Sequence, residues 1–379
     1  VPLTEAAQSA LCNPGSWDER PTRRARGSRL PFQAILRGML RQPSHADLLE
    51  TAVDLEAFVA DVEAALTAAL DDGTHAGPEG PEVLMEAARN LILAGAAKRA
   101  RPRLTFLFGR AIDAPVDALV DVAVAGELIH AGSLLHDDVV DGAETRRGRP
   151  TANALWGATA AVLSGDLVLT LAFAQLRKRR RIITSEAVET IATMTRGVMA
   201  EVLARGRVEL PLDQWRAIVA GKTGSLFGWC ARSAALLMEE DEAADRFGDC
   251  ASRLGIAFQL ADDLLDLQRL GTGKDAFNDI LNREPTFPIL VAADRSKEVR
   301  TEVARLWNAP RVTPGNAEAL GRAVLATGAG AETVERLQEE IAAALEALGP
   351  YAERPGGREI VAWSKELETR ARETLRPRG

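Results

Sequence analysis

Residues 127–141, ELIHAGSLLHDDVVD, decide how the rest of this chain is read. An apolar helical run ends there in three carboxylates, Asp137, Asp138 and Asp141, and Arg146 and Arg147 follow closely. On a helix Asp137 and Asp141 share one face, with Asp138 beside them. Like charges held so near one another repel unless a cation neutralises them. Mg²⁺ suits such a cluster, because it takes carboxylate oxygens, keeps several waters and often shares its shell with substrate phosphates. The downstream arginines add two-pronged contacts to phosphate oxygens.

A second cluster lies far away in sequence. Residues 258–266, FQLADDLLD, place Asp262 and Asp266 four apart with Asp263 between them. One aspartate pair on a helix is usually a solvated face or a cap. Two DDxxD clusters, each after an apolar helical stretch and each near basic residues, are far more specific. Facing one another across a helical bundle, they would clamp a diphosphate between metal ions.

The remaining composition agrees with a helical enzyme. The chain has 379 residues, 46% hydrophobic and 26% charged, within the range of a soluble protein. Aromatics are only 4%, and alanine, leucine, glutamate and arginine dominate, which favours helix over strand. A net charge of −8 argues against general nucleic-acid binding. Cys12, Cys230 and Cys250 show neither metal nor disulfide spacing and fit a reducing, cytoplasmic setting. No basic start followed by an apolar run marks a secretory signal. Residues 155–176 are long enough to span a membrane, but Asp166 sits centrally, so a buried core helix is expected.

Residues 1–45 read as a tail, proline-containing and basic at Arg20, Arg23, Arg24 and Arg26. Much of it is expected to be disordered, with a short helix near 32–40 and a role as a solvated extension. Residues 46–379 form the second unit, helical throughout. The periodicity predicts helices near 83–97, 103–112, 115–141, 185–203, 211–223, 226–238 and 241–267. Residues 151–175 read as two helical pieces interrupted near Ser164-Gly165. The cation run 177–181 reads as a loop between helices, with weak peripheral attraction to anionic lipid as a lesser reading. Residues 269–285 read as a loop, and a helical remainder breaks near 310–316. No βαβ alternation is present, so the expected fold is an all-α, single-domain helical bundle around a central cavity.

These motifs resemble those of the trans-isoprenyl (polyprenyl) diphosphate synthases, in the family's order, over about residues 98–288. Lys98-Arg99-Ala100-Arg101-Pro102 is similar to the GKRxRP box, with Ala97 in place of the glycine. The resemblance implies that Lys98, Arg101, His130 and Arg147 bind the diphosphate of isopentenyl diphosphate. It implies that Arg146, Lys222, Thr223 and Lys274 serve the allylic diphosphate, and that Gln259, matched with the second motif, is substrate-binding. Mg²⁺ would be held by Asp137, Asp141, Asp262 and Asp266, with Asp138 in the same catalytic motif. A homodimer is the family expectation. One departure stands out: in the stretch similar to DLxxGKxTLP, Glu284 occupies the place of a lysine, with Arg283 beside it as a substitute.

The implied chemistry is ionisation of the allylic diphosphate, attack by the isopentenyl double bond, and loss of a proton. Chain length is expected to depend on Gly132, Ser133 and Ile129 below the first motif. Both Gly132 and Ser133 are small where large aromatics would close the pocket, which implies a geranylgeranyl or longer product. Two other readings remain open. A terpene cyclase on the same fold would have less need of Lys98, Arg101, His130 and Arg147. A partner subunit of a heteromeric synthase would show eroded aspartate motifs.

Overall fold

Alanine- and leucine-rich runs form helices joined by short turns, several of which carry glycine or proline. The computed structural model describes residues 45–72, 81–94, 98–146, 148–268 and 276–375. The tail, its expected helix near 32–40, Arg147 and Lys274 lie outside the described residues.

The chain order is α1 His45–Asp72, α2 Pro81–Ile92, α3 Ala100–Arg110 and α4 Val116–Val140, then the two-residue strands β1 Thr145–Arg146 and β2 Arg149–Pro150. Then come α5 Ala152–Leu176, α6 Arg181–Ala204, α7 Leu212–Val219, a π-turn at Ala220–Gly224, α8 Ser225–Leu237 and α9 Asp241–Asp266. The remainder is α10 Asn278–Leu281, α11 Phe287–Arg295, α12 Lys297–Trp307, α13 Pro314–Ala326, α14 Ala329–Leu348, a 3₁₀ turn at Gly349–Glu353 and α15 Gly357–Thr374. The only sheet among the described residues is the antiparallel pair β1–β2. The all-α expectation holds.

Two helices organise the packing. On α4, every residue from Val122 to Ile129 is buried, so the helix is apolar all round and sits in the interior. It packs against α1, α2, α3, α5 and α8. On α9, Phe247, Leu254, Ile256, Leu260 and Leu264 are buried, and the helix packs against α8, α14 and α15. Helix α8 thus touches both, and the two acidic motifs stand at the C-terminal ends of α4 and α9.

Helix α5 departs from expectation twice. Its break is at Gly157, at φ 81 and ψ 164, rather than at Ser164-Gly165. Such a backbone conformation suits glycine alone. Ser164 instead continues the helix, its buried hydroxyl donating to the Leu84 carbonyl on α2 at 2.8 Å. Nor is α5 a buried core helix. Only 28% of its most apolar window is buried, against 67% for α4. Ala161, Gly165, Val168 and Ala172 face inward, while Leu155, Val162 and Leu163 are exposed on the other side.

The cation run connects α5 to α6 as the expected loop, with Arg177, Lys178 and Arg181 exposed and two of its members fastened. Arg179 pairs with Asp121 on α4 at 2.7 Å, and Arg180 donates to the Leu236 carbonyl on α8 at 2.6 Å.

Candidate active site

Helix α4 ends by presenting its three aspartates differently. Asp138 is 1% exposed and turned inward, where Arg146 Nε donates to its Oδ1 at 2.6 Å. The β1–β2 hairpin makes this possible by returning the chain toward the helix end. Asp137 is half-buried and Asp141 lies toward the surface. Burial raises the Asp137 pKa, Asp141 and Glu201 add to the rise, and Lys222 and Arg146 oppose it. Asp138 is likewise raised by burial against the pull of Arg146.

Helix α9 repeats the arrangement. The middle aspartate, Asp263, is 2% exposed and accepts from Gln259 Nε2 at 2.9 Å, while Asp262 is exposed. Asp266 accepts from the backbone amides of Asn278 and Asp279, each at 3.0 Å, which ties α10 to the end of α9. Burial pushes Asp263 up to about 8, with Asp262 and Glu284 adding repulsion. Asp279 is raised well above the carboxylate range by burial and then by Asp266, Asp263, Glu284 and Asp262. Each DDxxD thus buries its second carboxylate and holds it with a neighbour's hydrogen bond, leaving the first and last at the helix end.

The π-turn connects the two. Lys222 pairs with Glu201 on α6, and burial, which lowers its pKa, is outweighed by Glu201, Asp137 and Glu284. Thr223 Oγ1 donates to Gln259 Oε1 at 3.4 Å. One widened turn therefore reaches the first motif through Lys222 and the second through Thr223. A small cavity beside it is lined by Glu201, Lys222, Gln259, Asp279 and Glu284.

The turn's position depends on Gly197. A Cβ there would lie 2.6 Å from the Lys222 amide nitrogen and 2.9 Å from the Gly221 carbonyl carbon. Backbone cannot yield as a side-chain tip can. Gly197→Ala is expected to cost about 1–2 kcal/mol by overpacking. Displacing Lys222 is expected to lower kcat about tenfold or more. Thermal melts alongside steady-state assays check this, and a variant with wild-type kcat would detach Lys222 from the turn's placement.

The remaining expected residues fall as follows. In the basic box, Arg99 has φ 48 and turns into the core, pairing with Glu63 at 2.6 Å and Glu127 at 2.7 Å. Lys98 stays exposed, and the Arg101 guanidinium lies 5.2 Å from the Phe227 ring centroid. His130 is half-buried on α4, and its carbonyl accepts from Ser133 Oγ at 2.8 Å. Gly132 does not line one open face with Ile129 and Ser133. A Cβ on it would meet Leu169 at 3.1 Å and the Gly165 carbonyl at 3.2 Å, so its smallness seats α5. Ile129 is buried and Ser133 half-buried.

Arg283 does not stand in for the cation missing at Glu284. At φ 62 it turns away and donates to the Ala309 carbonyl at 2.8 Å. Two cations act on Glu284: Lys222, and Arg205 at the end of α6, 3.6 Å from the Glu284 carboxylate and paired with Asp141. Sequence reasoning missed both Glu201 and Arg205. Their four-residue spacing is an ordinary surface pattern, and only the tertiary fold brings them to the acidic motifs.

The donor set is made of carboxylates, of which Asp137 and Asp266 are raised by burial and by neighbouring carboxylates, and oxygen donors of this kind suit a hard divalent cation. Among the described residues, no three histidine, cysteine, aspartate or glutamate side chains already converge as a metal cage.

Comparison with known proteins agrees with this geometry. Residues 81–320 match the family model described as Polyprenyl synthetase. The geranylgeranyl diphosphate synthase of Mycobacterium tuberculosis is 32% identical over 279 residues, covering 69% of this chain and 77% of that protein. The octaprenyl diphosphate synthase of Escherichia coli is 33% identical over 278 residues, covering 70% and 83%. A polyprenyl synthase structure from Caulobacter crescentus, complexed with calcium and isoprenyl diphosphate, superposes with a TM-score of 0.72 at 25% identity, covering 90% of this chain and all of that one. With two matched acidic helix ends, a lysine–threonine turn between them and this extent of similarity, the chain belongs to the polyprenyl synthetase family, whose curated relatives are prenyltransferases.

Proposed function

We propose that this protein is a Mg²⁺-dependent trans-prenyltransferase that condenses isopentenyl diphosphate with an allylic diphosphate into a linear polyprenyl diphosphate of geranylgeranyl length or longer. The observation that carries the reading is the π-turn, whose Lys222 and Thr223 touch the surroundings of both acidic motifs at once. A group bound there would feel carboxylates from two helices and a cation between them.

Asp137, Asp141, Asp262 and Asp266 would hold the metal, which when bound supplies Lewis-acid neutralisation of the diphosphate oxygens. Arg146, Lys222 and Lys274 offset the charge that builds on the departing diphosphate as the allylic C–O bond breaks. Asp138 holds Arg146 ready for that contact. Gln259 and Thr223 orient the same group. Lys98, Arg101, His130 and Arg147 bind isopentenyl diphosphate so that its double bond meets the allylic cation. The apolar bundle around α4 keeps water from that cation. The small Ser133 below the first motif supports an extended product, and the named relatives include geranylgeranyl and octaprenyl diphosphate synthases. Two further parts belong to the proposal. The exposed apolar side of α5 serves a homodimer, and the buried free thiols of Cys230 and Cys250 suit a reducing cytoplasm.

The test is incubation of purified protein with Mg²⁺, labelled isopentenyl diphosphate and dimethylallyl, geranyl, farnesyl or geranylgeranyl diphosphate in turn. Product lengths are read by chromatography after dephosphorylation. Label in products longer than farnesyl is expected. Hydrocarbon formed from the allylic substrate alone, with no label incorporated, would replace this reading by a cyclase.

A further inference from the structure

The end of α6 and the segment before α11 are joined directly. The Gly206 amide donates to the Arg283 carbonyl at 2.8 Å, so the residues next to each, Arg205 and Glu284, enter the same space. Arg205 stands there between two carboxylates, paired with Asp141 and 3.6 Å from Glu284. Its side chain is about one-quarter exposed, and its Nε is buried with no hydrogen-bond partner. A guanidinium fastened for structure alone would normally satisfy its buried donors. Arg99 shows that pattern in this chain, with Nε, Nη1 and Nη2 each bonded, whereas Arg110 and Arg358 also bury an unbonded Nε, so the placement of Arg205 between two site carboxylates carries the distinction.

We infer that Arg205 is a diphosphate-binding residue, supplying from α6 the positive charge that position 284 lacks, with Glu284 as its anchor. Three features of the site lead to this role. Arg205 is adjacent to Asp141, one of the outer carboxylates of the first motif, and Lys222 shares Glu201 and Glu284 with it as electrostatic neighbours. Its planar fork has donors to spare for a second oxyanion, which a lysine ammonium would present as a point charge. The alternative cation, Arg283, is committed to the Ala309 carbonyl on the far side of the loop. Were Asp141 to hold a metal ion, the Arg205 donor it now occupies would be free for the anion bound beside it. The positive charge would then stay in the same place while its partner changed.

This inference rests on the functional reading above, and its test uses a probe that needs no turnover. Binding of inorganic diphosphate in the presence of Mg²⁺ is measured by calorimetry for the 379-residue chain and for Arg205→Gln, Arg205→Lys, Glu284→Lys and the double variant R205Q/E284K, with a thermal melt of each. Arg205→Gln is expected to weaken diphosphate binding at least tenfold, and Arg205→Lys to keep most of it. In R205Q/E284K the cation returns from the other segment, and affinity is expected to recover to within about threefold of wild type. A purely structural role at Asp141 would not be rescued by a lysine at 284. Unchanged affinity in Arg205→Gln overturns the inference, as does a folded double variant that binds as weakly as the single one. Where Arg205→Gln fails to fold, the double variant and Arg205→Lys decide in the same way. Wild-type protein that neither binds diphosphate nor condenses isopentenyl diphosphate would remove the functional reading itself, a result distinct from failure of Arg205 alone.

Discussion

Asp137→Asn should lower kcat roughly 10³-fold, the scale seen when one preorganised electrostatic contact to a developing charge is removed. Asp137 is the first carboxylate of the motif at the end of α4, within the fields of Lys222 and Arg146 and close to Asp141 and Glu201. Its replacement removes an oxygen proposed to hold the metal and leaves the helix intact, so the melt should stay near wild type. Asp138→Asn makes the informative contrast. Asp138 is buried and bonded to Arg146, so its loss should act through the arginine's placement and lower stability as well as rate. Steady-state kinetics with Mg²⁺ titration, beside thermal melts, separate the two. Asp137→Asn with kcat within tenfold of wild type would take this position out of the chemistry.

Glu127→Ala should be the costliest change to stability, about 3 kcal/mol, because it strips a buried cation of its buried partner. Arg99 and Glu127 are each about 5% exposed and meet at 2.7 Å. Arg99 keeps Glu63 and the Ile92 carbonyl, which lie nearer the surface and on α2, so the protein should still fold. Glu63→Ala should cost less, since the Glu63 carboxylate is 41% exposed. Guanidinium denaturation midpoints at constant slope measure both. A loss below about 1 kcal/mol for Glu127→Ala would mean that Arg99 is satisfied without it.

The acidic motifs were legible because local spacing alone puts Asp137 with Asp141 and Asp262 with Asp266. The long helices were legible because burial on α4 follows from its apolar run and burial on α9 from apolar residues recurring at three- and four-residue steps. The kink in α5 was misplaced because Gly157 and Gly165 look alike in sequence. Only packing shows that the second lies against His136 and the first in open space. The exposure of α5 was illegible for a related reason: composition reports how apolar a helix is, and not what covers it. Glu201 and Arg205 were missed because their partners, Lys222, Asp141 and Glu284, come from other segments. Glu284 was noticed only as a missing positive charge, and the fold supplies an arginine beside it from α6.

The wide turn at Ala220–Gly224 has a consequence for how this chain can change over time. A π-turn holds one residue more than the α-helical turn it replaces. Helices α7 and α8 run continuously into it, each docked by its own contacts, Trp215 on Phe287 for α7 and the α9 interface for α8. Deleting one residue inside the turn would leave a plain α-helix and let both docked faces keep their partners. Lys222 and Thr223 would lose the bulge that sets them between the acidic ends. The fold could then outlive its chemistry by a single codon, leaving a helical bundle that still assembles and no longer ionises anything.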